Sequence, residues 1–264
     1  MRQVALAMFY GVKPSTISAL ILECQRRVAS ILGEYFQPYD SYQIHATLVS
    51  LEEIPGSSEM NLNFKKYRGQ HRHMDFHGLL NFVRTECNIP FPIQIGGFRD
   101  QDYPFVSQGQ RPFNRSFSII GDKVVVMGWP VQRKTLDLIE TNIHYLEPGE
   151  DMYPKTLDDI RRFLQQFNVL HSYHHIDTDI DNDFYFRIGL VPHLLLHDPR
   201  REQVEQDMRQ FLSSKGAIIV DVTCSDIFIV SFEDNKLLPG STQVWPINDT
   251  QITPEFISRL YKGI

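Results

Sequence analysis

The N-terminal part of the chain alternates between two hydrophobic patterns. Residues 3–12 form an apolar and aromatic run, which is typical of a buried strand. In residues 13–37 the apolar side chains recur at spacings of three and four, which predicts an amphipathic helix that begins at a Pro-Ser-Thr signal. Residues 42–51, YQIHATLVSL, again indicate a strand. The chain is therefore expected to begin with strand, helix and strand.

The later part of the chain repeats this order loosely. Residues 116–131 predict two strands with a turn at Gly121-Asp122, and residues 184–199 predict a strand that Pro192 interrupts. The other predicted elements are strands at 91–98 and 217–234 and helices at 134–146, 156–170, 200–216 and 254–261. We therefore predict an α+β protein in which residues 1–264 form a single bilobal domain. Its two pseudo-symmetric lobes would be antiparallel-dominated sheets flanked by helices, with a central cleft between them.

One histidine stands in the middle of the 42–51 strand, between apolar residues. Because residues two apart share a face of a strand, His45 and Thr47 are expected to project together. A buried histidine with a hydrogen-bond partner would produce the same pattern, so the pair alone leaves both interpretations open. The repeated order offers His45 a partner, because His193 follows Pro192 in the predicted strand at 184–199.

Residues 45–48, HATL, resemble the hallmark of the two-histidine (2H) phosphoesterases, relatives of RNA 2′,3′-cyclic phosphodiesterases and bacterial RNA 2′-5′ ligases. Members carry His-x-Thr/Ser-hydrophobic once in each lobe, on strands that face each other across a cleft. Residues 192–196, PHLLL, keep the proline and the histidine but have Leu195 where the motif has Thr or Ser. The two histidines are further apart than in compact members, so the resemblance implies insertions at 55–90 and 145–182.

The resemblance implies metal-independent acid/base chemistry on a phosphodiester, with a 2′,3′-cyclic phosphate of a nucleotide or RNA end as the substrate. His45 and His193 would be the acid and the base, because imidazole titrates near neutral pH. Thr47 would hold a non-bridging phosphate oxygen, which Leu195 is unable to do, and one such donor is worth about 10²–10³ in rate. The expected protein is thus a hydrolase of RNA processing that needs no cofactor. The alternative is a catalytically weak or inactive protein that binds RNA ends or nucleotides on the same fold.

Three further segments are candidates for a binding or metal site. The polar and aromatic loop at 99–115 contains Arg111 and Arg115, which are candidate substrate contacts, although a plain surface loop fits as well. Residues 71–77, HRHMDFH, have their last histidine one position too late for a metallo-β-lactamase-type metal motif. Residues 171–183, HSYHHIDTDIDND, lack the Gly and Glu of an EF-hand. Residues 71–77 are therefore predicted to be a solvated basic loop and residues 171–183 a polar loop between a helix and a strand, both without a metal, and a metal-dependent hydrolase is the third interpretation.

Composition narrows the classes of partner. The 264 residues carry a formal net charge of −6, which argues against a protein that coats an extended nucleic acid and leaves room for a short anionic ligand. The apolar run Val4–Phe9 is too short for a signal peptide, and no run reaches the length of a membrane span, so we expect a cytoplasmic protein with no membrane partner. Its widely spaced cysteines indicate reduced thiols. The sequence does not indicate an oligomeric state.

Overall fold

A computed structural model describes residues 2–57, 59–87, 89–132, 152–174, 180–192 and 198–263. In these residues the fold is α+β, with two separate antiparallel sheets and helices packed against them. The predicted fold class is confirmed at this level. The predicted helix at 134–146 lies outside the described residues.

The first sheet contains the N-terminal strand and the strand that follows His45. Its strands are β1 (Gln3–Met8), β3 (Ala46–Ser50), β9 (Ile227–Phe232) and β10 (Gln243–Pro246). They pair in the order β10-β9-β1-β3, and every pair is antiparallel. Strand β3 therefore lies at an edge of this sheet.

The second sheet is built mainly from the later part of the chain. Its strands are β2 (Gln37–Pro38), β4 (Phe91–Ile95), β5 (Phe117–Ile120), β6 (Lys123–Pro130), β7 (Phe184–Leu190) and β8 (Ile218–Val222). They pair in the order β2-β7-β6-β4-β8, and β5 forms a hairpin with β6 across the predicted turn at Gly121-Asp122. Strand β7 pairs antiparallel with β6 in this sheet, as β3 pairs with β1 in the first sheet.

The helices fall close to the predicted positions where the pattern is amphipathic. They are α1 (Ser15–Leu32), α2 (Leu62–Arg68), α3 (Phe76–Asn81), α4 (Pro112–Arg115), α5 (Thr156–Phe163), α6 (Pro199–Ser214) and α7 (Pro254–Leu260). Shorter turns are the 3-10 segments Gly33–Tyr35, Leu164–Phe167 and Cys224–Asp226 and a π-helical turn at Phe82–Glu86. Helices α2 and α3 lie in a segment for which the sequence predicts only a polar insertion.

One continuous hydrophobic core joins the two sheets. The buried face of α1 is formed by the residues that the periodicity selected, and this face belongs to the same cluster as residues of β1, β3, β6 and β7. Helix α1 also packs against α6, where the Arg27 guanidinium lies 4.0 Å above the Phe211 ring. Among the described residues no helix is long and apolar enough to cross a membrane.

Candidate functional site

A cavity of about 580 Å³ is lined by residues of both sheets. Thr47 comes from β3 of the first sheet and His45 lies directly before that strand, and Tyr185 and Arg187 come from β7 of the second sheet. Strands β3 and β7 contact each other, so the cavity lies where the two sheets meet. The structure thus places two of the predicted site residues, His45 and Thr47, in one cavity.

His45 is held by the backbone just before β3. Its Nδ1 lies 2.6 Å from the carbonyl oxygen of Gln43. Because a carbonyl only accepts, Nδ1 carries the proton in the neutral ring, and Nε2 is the nitrogen that can accept one. Burial and the nearby cations Arg187 and Lys13 together lower the pKa of His45 from 6.5 to about 4, although the Gln43 hydrogen bond raises it. At neutral pH, His45 is therefore uncharged and able to act as a base.

Thr47 owes its position to a buried arginine of α5. Arg161 is fully buried, and it donates from Nη2 to the carbonyl oxygen of Thr47 (2.9 Å) and from Nε to that of Leu48 (3.0 Å). These carbonyls lie where the pairing of β3 with β1 shifts register, because Thr47 pairs with Ala7 but Val49 pairs with Leu6. The guanidinium thus fixes the local bend of the strand that carries Thr47.

Tyr185 and Arg187 lie outside the histidine motifs that the sequence offers. They alternate along β7 with buried apolar residues, which is the same two-residue spacing as His45 and Thr47. Burial raises the pKa of Tyr185, although its hydroxyl lies near enough to the Thr47 side chain to oppose part of this rise. Arg187 donates from Nη1 to the carbonyl oxygen of Asn235 at 3.0 Å. The sequence signal that could have identified Tyr185 and Arg187 is their two-residue spacing as polar residues in an otherwise apolar strand.

His171 lies in the same cavity and is also a residue that the sequence argument did not select. Its Nδ1 is 2.7 Å from Oδ2 of Asp181, although the angle departs from that of an aligned hydrogen bond, and that same oxygen lies 3.2 Å from Nη1 of Arg161. Burial and the Arg161 cation lower the pKa of His171 to about 4, against the opposing effect of Asp181. Burial would raise the pKa of Asp181, but the Arg161 cation and the neighbouring His171 ring lower it by more.

The described residues of the 171–183 segment form the predicted polar loop between a helical turn and a strand, but most of their ionisable side chains are buried. Besides the His171 cluster, His174 is completely buried and its Nε2 lies 2.8 Å from Oδ1 of Asp158. Burial would raise the pKa of Asp158, but hydrogen bonds from His174, Arg162 and the Asp181 amide lower it to about 2. The polar sequence is buried because each charged group has a partner, which periodicity does not reveal.

The remaining predicted site residues lie elsewhere. Arg111 is half exposed and forms ion pairs with Asp100 and Asp102, each at 3.1 Å. Arg115 lies 3.3 Å from Asp183 and bonds to Ser107. Neither arginine lines the cavity, so their role as substrate contacts stays a prediction.

The second predicted motif is not described by the structure. His193 and Leu195 lie outside the described residues, which end at Pro192 and resume at Asp198. The assignment of His193 as the partner of His45 therefore also stays a prediction.

The histidines of the 71–77 segment are exposed, as expected, but the segment is not wholly a solvated loop, because Met74 and Phe76 are buried and α3 begins at Phe76. Asp75 in this segment caps α3 by accepting a hydrogen bond from the amide of Gly78 at 2.9 Å. Within the described ranges, no group of three or more His, Cys, Asp or Glu side chains is arranged to hold a metal ion.

Comparisons with known proteins give little. No protein-family model matches the chain, and no curated protein matches it significantly. Among solved structures, a crystal structure of TT0787 of Thermus thermophilus is similar to it with a TM-score of 0.38 and 12% sequence identity, over 92% of this chain and 93% of that one. A similarity this weak establishes neither a shared fold nor a shared function.

Proposed function

We propose that the protein is a metal-independent phosphodiesterase with a two-lobed fold of the two-histidine phosphoesterase kind. Its substrate would be a 2′,3′-cyclic phosphate on a nucleotide or an RNA end, in the cytoplasm. The observation that supports this most directly is that His45 and Thr47 line one cavity and that the Gln43 carbonyl holds His45 in the tautomer with a free Nε2.

In this mechanism His45 is the base. Its Nε2 takes a proton from water, whose oxygen attacks phosphorus on the side opposite the leaving ribose oxygen. The Thr47 hydroxyl donates to a non-bridging phosphate oxygen and stabilises the developing charge. The mechanism also needs an acid that protonates the leaving oxygen. The second sequence motif suggests His193 for this role.

The charge around the cavity fits a phosphate ester of modest size. Lys123, Arg187 and Lys236 line the cavity, against the carboxylates Glu52 and Asp122. Such a small excess of positive charge favours the binding of a single phosphate group. An extended nucleic acid would require cationic contacts along many phosphates.

The test is turnover of the four nucleoside 2′,3′-cyclic monophosphates and of a short RNA with a cyclic end, in EDTA. His45→Ala is expected to lower kcat by about 10²–10⁴, the range typical of a lost general base. His77→Ala, which removes an exposed histidine of α3, is the matched control and should keep the wild-type rate.

The same assay decides among the alternatives. Activity that disappears in EDTA would indicate a metal-dependent hydrolase. Saturable nucleotide binding without turnover would indicate the binding protein that the Leu195 departure suggests. Wild-type inactivity on every substrate, with no binding, would contradict the proposal.

A further inference from the structure

Thr47 and Arg187 occupy matching positions in the two sheets. In the pairing of β3 with β1, Leu48 is the unpaired extra residue, and Thr47 comes directly before it. In the pairing of β7 with β6, Arg187 pairs with Val125 and Gly189 with Val124, so Ile188 is the unpaired residue after Arg187. The bulge thus aligns β3 and β7 residue by residue.

This alignment places Tyr185 where the first sheet has His45. Ala46 and Phe186 are the paired residues between the two polar positions of each strand, and both are buried. The matched segments are therefore HATL at 45–48 and YFRI at 185–188. Each is polar-x-polar followed by an apolar bulge residue, which for Leu48 and Ile188 is buried in the core.

The side chains also influence one another across the cavity in matching pairs. The Tyr185 hydroxyl lies near the side chain of Thr47, the second polar residue of the first segment. In the reciprocal direction, the charge of Arg187 acts on His45, the first polar residue of that segment. Pairing of this kind is expected when two equivalent segments face each other about a local two-fold axis.

Arg187 also has unused hydrogen-bonding capacity. Within the described part of the chain its Nε is buried and has no hydrogen-bond partner, whereas its Nη1 donates to the Asn235 carbonyl. A buried unpaired donor is costly unless a ligand pairs with it. The planar guanidinium suits two oxygens of one phosphate group.

We propose that Tyr185 and Arg187 are the second half of this site: Arg187 binds a non-bridging oxygen of the substrate phosphate, and Tyr185 protonates the leaving ribose oxygen. This inference rests on the proposed function and names the residues of the second lobe that carry it out. A charged Arg187 replaces the hydroxyl that Leu195 is unable to supply.

The proposed step is balanced with water as the only co-reactant. His45 removes a proton from water, the water oxygen forms a bond to phosphorus, and the bond from phosphorus to the ribose oxygen breaks. The Tyr185 hydroxyl gives its proton to that oxygen, and the resulting phenolate recovers a proton from solvent while His45 releases its own. The product is a phosphate monoester next to a free hydroxyl.

The experiment measures kcat and KM for the nucleoside 2′,3′-cyclic monophosphates and, by calorimetry at fixed ionic strength, the Kd of inorganic phosphate. The variants of the full chain are Tyr185→Phe, Arg187→Gln, Arg187→Lys and His193→Ala. Tyr35→Phe and Arg26→Gln change an exposed tyrosine and an exposed arginine and serve as matched controls. Thermal unfolding checks each variant, and Arg187→Lys provides a second test should Arg187→Gln not fold.

Arg187→Gln is expected to raise the Kd of phosphate roughly 10- to 100-fold, because a hydrogen bond to a charged group is lost. Arg187→Lys should recover part of this affinity, since it keeps the charge but lacks the two-pronged geometry. Tyr185→Phe should lower kcat roughly 10²-fold or more, as expected for a lost proton donor, with KM and the phosphate Kd near those of wild type.

Three results would overturn the inference or part of it. If Tyr185→Phe and Arg187→Gln keep wild-type kcat, KM and phosphate Kd, the inference is wrong. If His193→Ala abolishes turnover and Tyr185→Phe does not, His193 is the acid, so the proposed function stands and the role of Tyr185 falls. If wild type turns over none of the substrates, the proposed function and the role of Tyr185 fall together, and the phosphate Kd of the Arg187 variants still decides the anion subsite.

Discussion

The side chain of Arg161 is hydrogen-bonded to the backbone of Thr47, with Nη2 lying 2.9 Å from the carbonyl oxygen. The same guanidinium contacts the Asp181 carboxylate, which in turn contacts His171. One buried cation thus connects the edge strand of the first sheet to the segment before β7. The geometry of the cavity depends on this connection, because Thr47 and His171 both line it.

We expect Arg161→Met to destabilise the protein by about 3–5 kcal/mol, the range for removing one partner of a buried ion pair. The substitution leaves the Asp181 carboxylate buried without its cation and leaves the Thr47 and Leu48 carbonyls without their donor. Urea denaturation measures the free energy of unfolding. Arg26→Met, on the exposed face of α1, should change it by no more than about 0.5 kcal/mol. Equal, small effects of both substitutions would show that the buried network contributes little.

The pH dependence of activity should reflect the lowered pKa of His45. A base must be uncharged, so activity is lost as pH falls through the pKa of the free enzyme, which is about 4 and not 6.5. The acidic limb of kcat/KM is therefore expected near the pKa of about 4, measured with a cyclic nucleotide whose phosphate does not titrate in this range. An acidic limb between about pH 6 and 7, where an unperturbed imidazole titrates, would mean that His45 is not the base or is more solvated than its burial indicates.

Helices and strands could be predicted from the sequence where the hydrophobic residues followed a single periodicity. The buried face of α1 recurs every three or four residues, and the prediction for this helix is confirmed. Helices α2 and α3 were missed because their segment is rich in basic residues, although Asn61 and Asp75 cap them by accepting from the amides of Phe64 and Gly78. These capping residues predict helix N-termini, but the many basic residues of the segment favoured the interpretation as a polar loop.

The site was predictable on one side of the cavity only. His45 and Thr47 belong to a local motif, and both line the cavity. The matching role of Tyr185 and Arg187 depends on the pairing register of β7 with β6 and on its bulge, which are properties of the sheet and not of a local pattern. The burial of His171 depends likewise on Asp181 and Arg161, which reach it only in the folded chain.

Acid should destabilise the protein well above the range in which carboxylates titrate. Because the folded-state pKa of His171 (about 4) is below the unfolded value of 6.5, the unfolded state binds more protons between these limits. Stability is therefore complete above pH 6.5 and falls as pH decreases toward 4. His171 alone should account for about 2 kcal/mol between about pH 8 and pH 5.

His171→Gln provides the comparison, because glutamine keeps a donor for Asp181 and does not titrate. Urea denaturation at about pH 8 and pH 5 should show a smaller loss of unfolding free energy for this variant than for wild type. Identical losses in the two proteins would show that His171 is not held in its neutral form.

The close approach of β7 to β2 makes Gly189 a sensitive position. A Cβ at Gly189 would lie 2.6 Å from the carbonyl oxygen of Gln37, and it would come still closer to the Phe36 ring. Gly189→Ala therefore forces β7 to shift, and we expect a loss of about 1–3 kcal/mol, typical of overpacking in a core. Arg187 lies two residues earlier on the same strand, so the phosphate Kd should rise as well.

Gly240→Ala is the matched control, because a Cβ there meets no atom within 4 Å. If Gly189→Ala keeps the stability and the phosphate affinity of wild type, β2 moves aside at little cost and does not hold β7 in place.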